Sequence, residues 1–324
     1  MRYVRALATS ACAGVFAPDA AFAHAVCGDR VFPVTLTIDD PGVADEASVP
    51  TFTYQRSGAN GGPGAVHEYG FNFEYDKRIT DNFGLGVNDG YTVQQINNAK
   101  TQTGFQNLSV TAKYQDCISP EHEFIVSLGI VRGFGRTGTE HIGADRYGGT
   151  TPTLYFGKGL GDVSFDYLRP LAITGEFSKS FPDKSLKTTT TTDPDTGLLT
   201  TSDNRGNANL WSAGLSVQYS LPYLRSQVKD LGLPTLIGRL TPLVEFTWTS
   251  PATSPSSQGT TWAATPGVIY SAVSYQVGVE LVVPLNKTAG TNVGVIAQLH
   301  LFLDDLLGDT VFGRPIFPSG GSRP

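Results

Sequence analysis

Four stretches of this chain alternate between apolar and polar residues with a period of two. Residues 67–76 place four aromatic side chains on one face, with polar side chains and a glycine on the other. Residues 107–115, 210–220 and 275–283 repeat the scheme. This period is typical of β-strands with two unlike faces, and helical periodicity is hard to find. The pattern predicts an all-β chain, either a soluble sandwich or a barrel in a membrane.

Composition leaves the same two alternatives. The chain has 324 residues, 40% apolar and 16% charged, with a formal net charge of −6. The apolar content excludes a disordered protein, and the acidic balance without a Lys/Arg run predicts no nucleic-acid binding. No stretch approaches the roughly 18 uninterrupted apolar residues of a membrane-spanning helix.

The lengths of the connections favour the membrane barrel. Twelve strands can be assigned, at approximately 49–57, 65–78, 82–93, 104–115, 123–135, 151–158, 162–178, 207–220, 235–249, 263–271, 274–284 and 291–303. Short turns alternate with longer segments, apart from a long turn at 222–234 and a short loop at 286–290. Short periplasmic turns and long external loops are typical of outer-membrane barrels. We therefore predict a transmembrane antiparallel up-and-down β-barrel of about 12 strands with periplasmic N- and C-termini.

The first residues predict export. Arg2 and Arg5 precede an apolar stretch at 6–17, and Ala21-Phe22-Ala23 provides a cleavage site. This order is typical of a secretory signal peptide, the alternative being an amphipathic anchor that the mature protein retains. We expect a signal peptide at 1–23 that is cleaved near Ala23, and location in the Gram-negative outer membrane. The signal peptide is followed by three predicted parts: a periplasmic or lumen-entering segment at 24–48, a barrel at 49–303 and an irregular tail at 304–324.

Two cysteines remain after that cleavage. Cys27 precedes the first strand, and Cys117 ends the fourth strand at a short turn. Both residues then lie on the periplasmic side, where thiols can oxidise. We predict a Cys27–Cys117 disulfide.

Catalytic and metal-binding patterns are absent from the sequence. The five His residues are scattered singly, so we expect no metal site, and no Cys-x-x-Cys-His motif is present for a c-type haem. None of the His residues is followed two positions later by Ser, as in the His-x-Ser-Asn-Gly motif of outer-membrane phospholipase A. We expect no cofactor and no enzymatic activity.

Charged residues are expected to line the lumen of the barrel. The lumen-lining residues predicted from the strand assignment are Glu68, Glu74, Lys113, Asp166, Glu176, Arg239, Glu245 and Glu280. One interpretation is a lattice of ion pairs that holds the strands together in a narrow barrel. If the lumen is open, the acidic excess should favour cations over anions.

The last sixty residues carry a family resemblance. Residues 265–270 and 275–285 form a strand pair, and 293–302 form the closing strand. In this part the chain resembles the Gram-negative outer-membrane barrels associated with the meta-pathway of phenol degradation and related transporters. About twenty residues follow Phe302, so either Phe302 closes the barrel or Phe317 is drawn to the rim.

The resemblance implies a passive conduit for small, often hydrophobic compounds. We therefore predict an outer-membrane channel for passive diffusion of a small solute, hydrophobic or cationic. The alternative is a structural barrel that docks a periplasmic protein, such as a redox protein in outer-membrane electron transfer. The expected partners are outer-membrane lipid, the small solute and, in the alternative, that periplasmic protein.

Overall fold

The computed structural model describes residues 25–58, 64–184, 186–192, 199–253 and 259–318. The predicted signal peptide lies outside the described residues. Within them, no helix is both long and apolar enough to cross a membrane.

Twelve antiparallel strands form a closed barrel, which confirms the predicted fold class. Each strand pairs with the next along the chain, and the last pairs with the first. We number them β1 (Glu46–Ser57), β2 (Val66–Arg78), β3 (Phe83–Ile96), β4 (Ser109–Ser119), β5 (Phe124–Gly133), β6 (Gly149–Gly159), β7 (Leu171–Pro182), β8 (Leu210–Tyr219), β9 (Leu240–Pro251), β10 (Thr261–Ser271), β11 (Tyr275–Pro284) and β12 (Gly294–Phe302).

The two faces of the barrel wall have opposite chemistry. On β11, Val277, Val279 and Leu281 are 42–48% exposed, whereas Gln276 and Glu280 are at most 3% exposed. The apolar residues point outward and the polar residues point inward, the reverse of a soluble protein. Such an outer surface matches the lipid-facing band of a transmembrane barrel.

The connections differ in length at the two ends of the barrel. At the end that we call the short-turn rim, β2–β3, β4–β5 and β10–β11 are joined by a few residues each. At the long-loop rim, strand Gln102–Phe105 pairs back onto β3, and strands Leu186–Thr192 and Leu199–Gly206 form a separate hairpin. The predicted segregation of loop lengths therefore holds for most connections.

Several strands begin later than predicted, and for β7 and β9 the reason is a 3₁₀ turn. Residues 162–170 do not join the wall, because Asp166–Leu168 form a 3₁₀ turn in which Arg169 N–H donates to the Asp166 carbonyl at 3.2 Å. Pro170 has no N–H with which to continue a strand ladder. Ile237–Arg239 form a second 3₁₀ turn before β9. Asp166 and Arg239 consequently lie in connections at the short-turn rim.

The chain segments that precede β1 and follow β12 pack at the short-turn end of the barrel. A hairpin of Ala25–Cys27 with Arg30–Phe32 precedes β1. After β12, Leu303–Leu307 form a short helix, where the sequence predicted an irregular tail. Further on, Phe317 N–H donates to the Ile79 carbonyl at 2.8 Å. Phe302 is fully buried at the end of β12, and Phe317 is 67% exposed at the rim.

Because the apolar face of β11 points outward, a charged residue on this face should lower the free energy of unfolding by an amount that depends on its depth in the bilayer. Val279 lies midway along β11 and is 46% exposed, whereas Val293 is 52% exposed in the loop before β12. Arg at the bilayer midplane of a barrel costs about 2–4 kcal/mol, against about 0–1 kcal/mol near the interface. Urea unfolding in lipid vesicles should therefore show a larger loss for Val279→Arg than for Val293→Arg. Equal losses would contradict a lipid-facing β11.

Candidate functional site

The lumen contains residues 25–45, which we call the N-terminal plug. Its middle contacts inward-facing residues of strands on opposite sides of the barrel, including Glu245 on β9, Glu280 on β11, Lys113 on β4 and Ser127 on β5. These wall residues lie several residues inside the short-turn rim. The plug therefore crosses the half of the lumen nearest that rim.

A disulfide ties the start of the plug to the wall. Cys27 is bonded to Cys117 of β4, the pair named in the sequence analysis. The next residue, Gly28, has φ +64°, and a Cβ added to it would overlap with the Pro120 carbonyl. Glycine adopts this backbone conformation at little cost. The hairpin can thus fold closely against the β4–β5 turn.

A buried arginine joins the hairpin to three connections at the short-turn rim. Arg30 Nε lies 3.0 Å from Glu123 Oε2, and its guanidinium stacks 3.6 Å from the centroid of the Tyr223 ring. The guanidinium also donates to the carbonyls of Arg169 and Pro170, at 2.6 and 3.2 Å. The Tyr223 hydroxyl donates to the second Glu123 oxygen at 2.7 Å. The polar groups of this cluster therefore satisfy one another.

Burial has an electrostatic cost for Arg30. Removal from water lowers the pKa of its guanidinium, and the charge and hydrogen bond of Glu123 act in the opposite direction. Breaking a buried ion pair by removing one partner costs about 3–5 kcal/mol, because the remaining charge is left uncompensated. Arg30 and Glu123 thus depend on each other to hold the hairpin in place.

One carboxylate holds the centre of the plug. Glu245 accepts hydrogen bonds from three successive backbone N–H groups, those of Leu36, Thr37 and Ile38, at 3.3, 2.9 and 3.2 Å. The Thr37 hydroxyl lies 3.1 Å from both Glu280 Oε2 and Thr265 Oγ1. Backbone groups inside a barrel need partners other than bulk water. Glu245 supplies them to a segment that has no strand neighbour of its own.

A lysine holds the other side of the plug. Lys113 Nζ lies 2.7 Å from Asp39 Oδ2 and donates to the Asp40 carbonyl at 3.1 Å. The ammonium group also lies 4.7 Å from the centroid of the Tyr155 ring. Ser127 Oγ donates to the Pro41 carbonyl, and Val43 N–H donates to Gln115 at 2.6 Å. The middle of the plug is therefore held mainly by polar contacts, whereas Ala25, Cys27 and Phe32 at its start pack in an apolar cluster with wall residues.

The junction between the plug and β1 is also tied by charge. Asp45 is fully buried and pairs with Lys77 and with Arg78, whose Nε lies 2.9 Å away. Arg78 also contacts Asp304 at 3.2 Å, just after the end of β12. The carboxylates of Asp45 and Asp304 thus link the plug and the C-terminal segment through one guanidinium.

Two glycines of the wall make room for plug side chains. A Cβ added to Gly214 on β8 would overlap with Ile38, and one added to Gly278 on β11 would overlap with Leu36. Both glycines occupy inward-facing strand positions, where any larger residue would displace the plug. The wall is therefore shaped around the plug at these two positions.

The half of the lumen nearest the long-loop rim is lined mostly by neutral polar groups. Thr151 and Ser180 hydroxyls lie 2.8 Å apart, Ser212 and Thr249 hydroxyls 3.2 Å apart, and Gln106 donates to Thr92 at 2.7 Å. Hydroxyls both donate and accept, so this lining is compatible with water and polar solutes. Within the described part of the chain, no cluster of His, Cys, Asp or Glu is arranged to hold a metal ion.

Most of the predicted lumen residues occupy inward-facing strand positions. Glu245, Glu280 and Lys113 contact the plug, and Glu176 accepts the Asp39 N–H at 3.4 Å. Glu74 lies at the level of the plug, and Glu68 lies nearer the long-loop rim, where Gln94 donates to it at 2.9 Å. The prediction that Asp166 lines the lumen is wrong, because its side chain is 72% exposed outside the wall. The prediction that Arg239 lines the lumen from a strand is also wrong, because Arg239 lies in the connection before β9.

Sequence reasoning missed the residues that hold the two ends of the plug. Arg30, Glu123, Asp45 and Arg78 are buried and paired, yet each looks like an ordinary charged residue near a turn. The available signal was the Asp-Asp-Pro-Gly stretch at 39–42. It belongs to the segment 24–48, which is interpreted above as either periplasmic or lumen-entering. The structure places it in the lumen.

Several solved structures of outer-membrane proteins are similar to this chain. The COG4313 outer membrane channel from Pseudomonas putida F1 matches with a TM-score of 0.54 and 12% identity, over 84% of this chain and 99% of that chain. The KdgM porin, solved in complex with disordered oligogalacturonate, has a TM-score of 0.42, with 10% identity over 79% and 98% of the two chains. The NanC porin has a TM-score of 0.44, also with 10% identity over 79% and 98%.

These likenesses concern the fold. At 12% identity, the similarity to the Pseudomonas channel shows a common barrel architecture. No protein-family model matches this chain, and no curated protein matches it.

Removal of the Glu245 charge should loosen the plug. Hydrogen bonds to a charged group contribute about 1.5–3 kcal/mol each, which corresponds to roughly tenfold to a hundredfold in an equilibrium. In Glu245→Gln we therefore expect hydrogen exchange at the Leu36, Thr37 and Ile38 amides to accelerate by about tenfold or more. Glu68→Gln, which changes a carboxylate that does not contact the plug, is the matched control. Unchanged exchange in Glu245→Gln would show that the carboxylate does not hold the segment.

Proposed function

We propose that this protein is an outer-membrane channel for passive diffusion of a small solute, with the N-terminal plug as its gate. The observation that carries the proposal is the inverted barrel, apolar outside and polar inside, around a plug whose middle is held mainly by hydrogen bonds and an ion pair. Polar contacts can be exchanged for water when a segment moves within a hydrated lumen. The middle of the plug can therefore shift while the apolar cluster of Ala25, Cys27 and Phe32 with Ile125 and Ala172 stays buried.

The plug has a covalent limit on its movement. It is tied to β4 by the Cys27–Cys117 disulfide and continues into β1 at Glu46. Because it is attached at both ends, the plug can move within the lumen but cannot leave it while the disulfide is intact. We therefore propose that opening is a local rearrangement of the plug between the anchors at Arg30 and Asp45.

Charge near the plug supports a preference among solutes. Glu74, Glu176 and Glu280 face the lumen at this level, together with the Asp39 of the plug, against Lys113. An acidic constriction favours cations over anions. The resemblance to the phenol-degradation barrels favours hydrophobic compounds in addition, and that family assignment stays a proposal. A small cationic or uncharged hydrophobic solute fits both arguments.

Export and topology belong to the same proposal. The predicted cleavage near Ala23 would leave Cys27 close to the mature N-terminus. A disulfide forms readily in an oxidising compartment such as the periplasm. We therefore propose that the short-turn rim, the disulfide and both termini lie on the periplasmic side of the outer membrane.

Planar-bilayer recording tests the gate. The double variant Thr37→Ala/Asp39→Asn removes the plug hydroxyl that contacts Glu280 and the carboxylate that pairs with Lys113. We expect cation-selective currents with a several-fold higher open probability than in the unmodified protein, because the closed position loses two contacts. The matched control is Asp29→Asn, which changes an exposed carboxylate of the hairpin.

The recordings can also contradict the proposal. A protein that is silent in both forms, although folded and inserted, would argue against a channel. Currents that are identical in the double variant and the unmodified protein would support a channel but not this gate.

A second candidate function is a structural barrel that docks a periplasmic protein. The C-terminal segment favours it, because it presents exposed apolar side chains close to the short-turn rim: Leu306, Leu307, Val311, Phe312, Ile316 and Phe317. Exposed apolar groups of this kind can mark an interaction surface. A silent barrel that retains a periplasmic protein, and loses it in Phe312→Ser/Phe317→Ser, would favour this alternative.

A further inference from the structure

A cavity of about 500 Å³ opens at the short-turn rim beside the plug. Val31 and Pro33 of the plug form one wall, and Ala272 and Val273 of the β10–β11 turn form part of the opposite wall. The connection between β8 and β9 closes the third side. This volume lies within the range of about 300–1,000 Å³ that is usual for small-molecule sites.

The cavity has an arginine without an acidic partner. Arg239 lines it, and its guanidinium lies 3.5 Å from the Tyr270 hydroxyl. Among the residues that the structure describes, no carboxylate lies within ion-pair distance of Arg239. Arg225, which also lines the cavity, has Asp230 at 3.6 Å. The local charge is therefore positive, in contrast to the acidic middle of the lumen.

The wall chemistry limits what this cavity can take. A guanidinium presents a planar fork of donors that fits a carboxylate through two parallel hydrogen bonds. Val31, Pro33, Pro222, Ala272 and Val273 give the cavity an apolar surface for a hydrophobic body, and serine, threonine and glutamine side chains line the rest. Charge and shape thus point to the same class of compound.

We propose that this cavity binds a small organic anion whose carboxylate pairs with Arg239 and whose apolar body packs between the plug and the β10–β11 turn. The acidic middle of the lumen opposes passage of an anion, so this compound is a bound ligand rather than the transported solute. Because Val31 and Pro33 belong to the plug, the ligand contacts the plug directly at its periplasmic face.

Titration calorimetry on the full chain in detergent tests this site. The probe is cyclohexanecarboxylate, with cyclohexanecarboxamide as its uncharged analogue, inorganic phosphate as a charge without an apolar body, and empty micelles as the blank. We expect the carboxylate to bind about tenfold or more tightly than either of the other two compounds, as a charge-assisted hydrogen-bond pair requires.

Two variants locate the binding. Arg239→Gln should weaken carboxylate binding about tenfold or more while leaving the weak carboxamide binding unchanged. Ala272→Phe should weaken binding of both compounds, because the added ring takes up part of the cavity that the apolar body would occupy. Arg314→Gln, on the C-terminal segment at the same rim, should bind as the unmodified protein does. Far-ultraviolet circular dichroism checks that each variant retains the barrel.

Three results would overturn the proposal. These are carboxylate affinity that Arg239→Gln leaves unchanged, carboxamide affinity equal to that of the carboxylate, and phosphate affinity that matches the carboxylate. Binding is measured without any current, so loss of this site leaves the proposed channel standing. Conversely, a silent barrel that binds the carboxylate would contradict the channel alone.

Discussion

Charged groups inside this barrel are stabilised by hydrogen-bond and ion-pair partners, and the N-terminal plug supplies several of those partners. Glu245 accepts three backbone hydrogen bonds from the plug, and Lys113 pairs with Asp39 from the facing side. In an unplugged lumen the same groups would need water. The charged residues of the wall therefore hold the plug in its position. For this reason the proposed gate and the proposed cation preference depend on the same residues.

The two ends of the plug differ from its middle. The hairpin is fixed by a disulfide and by the buried Arg30–Glu123 pair, and the junction with β1 is fixed by Asp45 and Arg78. Between these anchors the contacts are mainly hydrogen bonds and the Lys113–Asp39 ion pair, which water can replace when the segment moves. A plug that is held firmly at both ends and less firmly in its middle can act as a tethered gate. The cavity at Arg239 lies beside the plug, and a bound ligand would contact the plug from its periplasmic side.

The wall could be predicted from sequence because its signal is local. Alternation at 67–76 placed Tyr69 and Phe73 outside and Glu74 inside, as the structure has them. The predicted strand at 162–178 started too early, because Phe165 and Tyr167 continue the alternation through a turn that only the 3₁₀ hydrogen bonds and Pro170 interrupt. The plug contacts were beyond reach for another reason. Glu245 and Leu36 are about two hundred residues apart in sequence, and a carboxylate that accepts backbone hydrogen bonds leaves no periodic pattern.

The most direct test of the account is whether residues 25–45 lie inside the wall. Spin labels at Val34 of the plug, at Tyr114 on the outer face of β4 and at Val268 on the outer face of β10 allow three pairwise distances to be measured by pulsed electron paramagnetic resonance. β4 and β10 stand on opposite sides of the twelve-strand barrel. The account predicts that both plug-to-wall distances are shorter than the distance between the two walls. A plug-to-wall distance that exceeds the wall-to-wall distance would place the segment outside the lumen and contradict it.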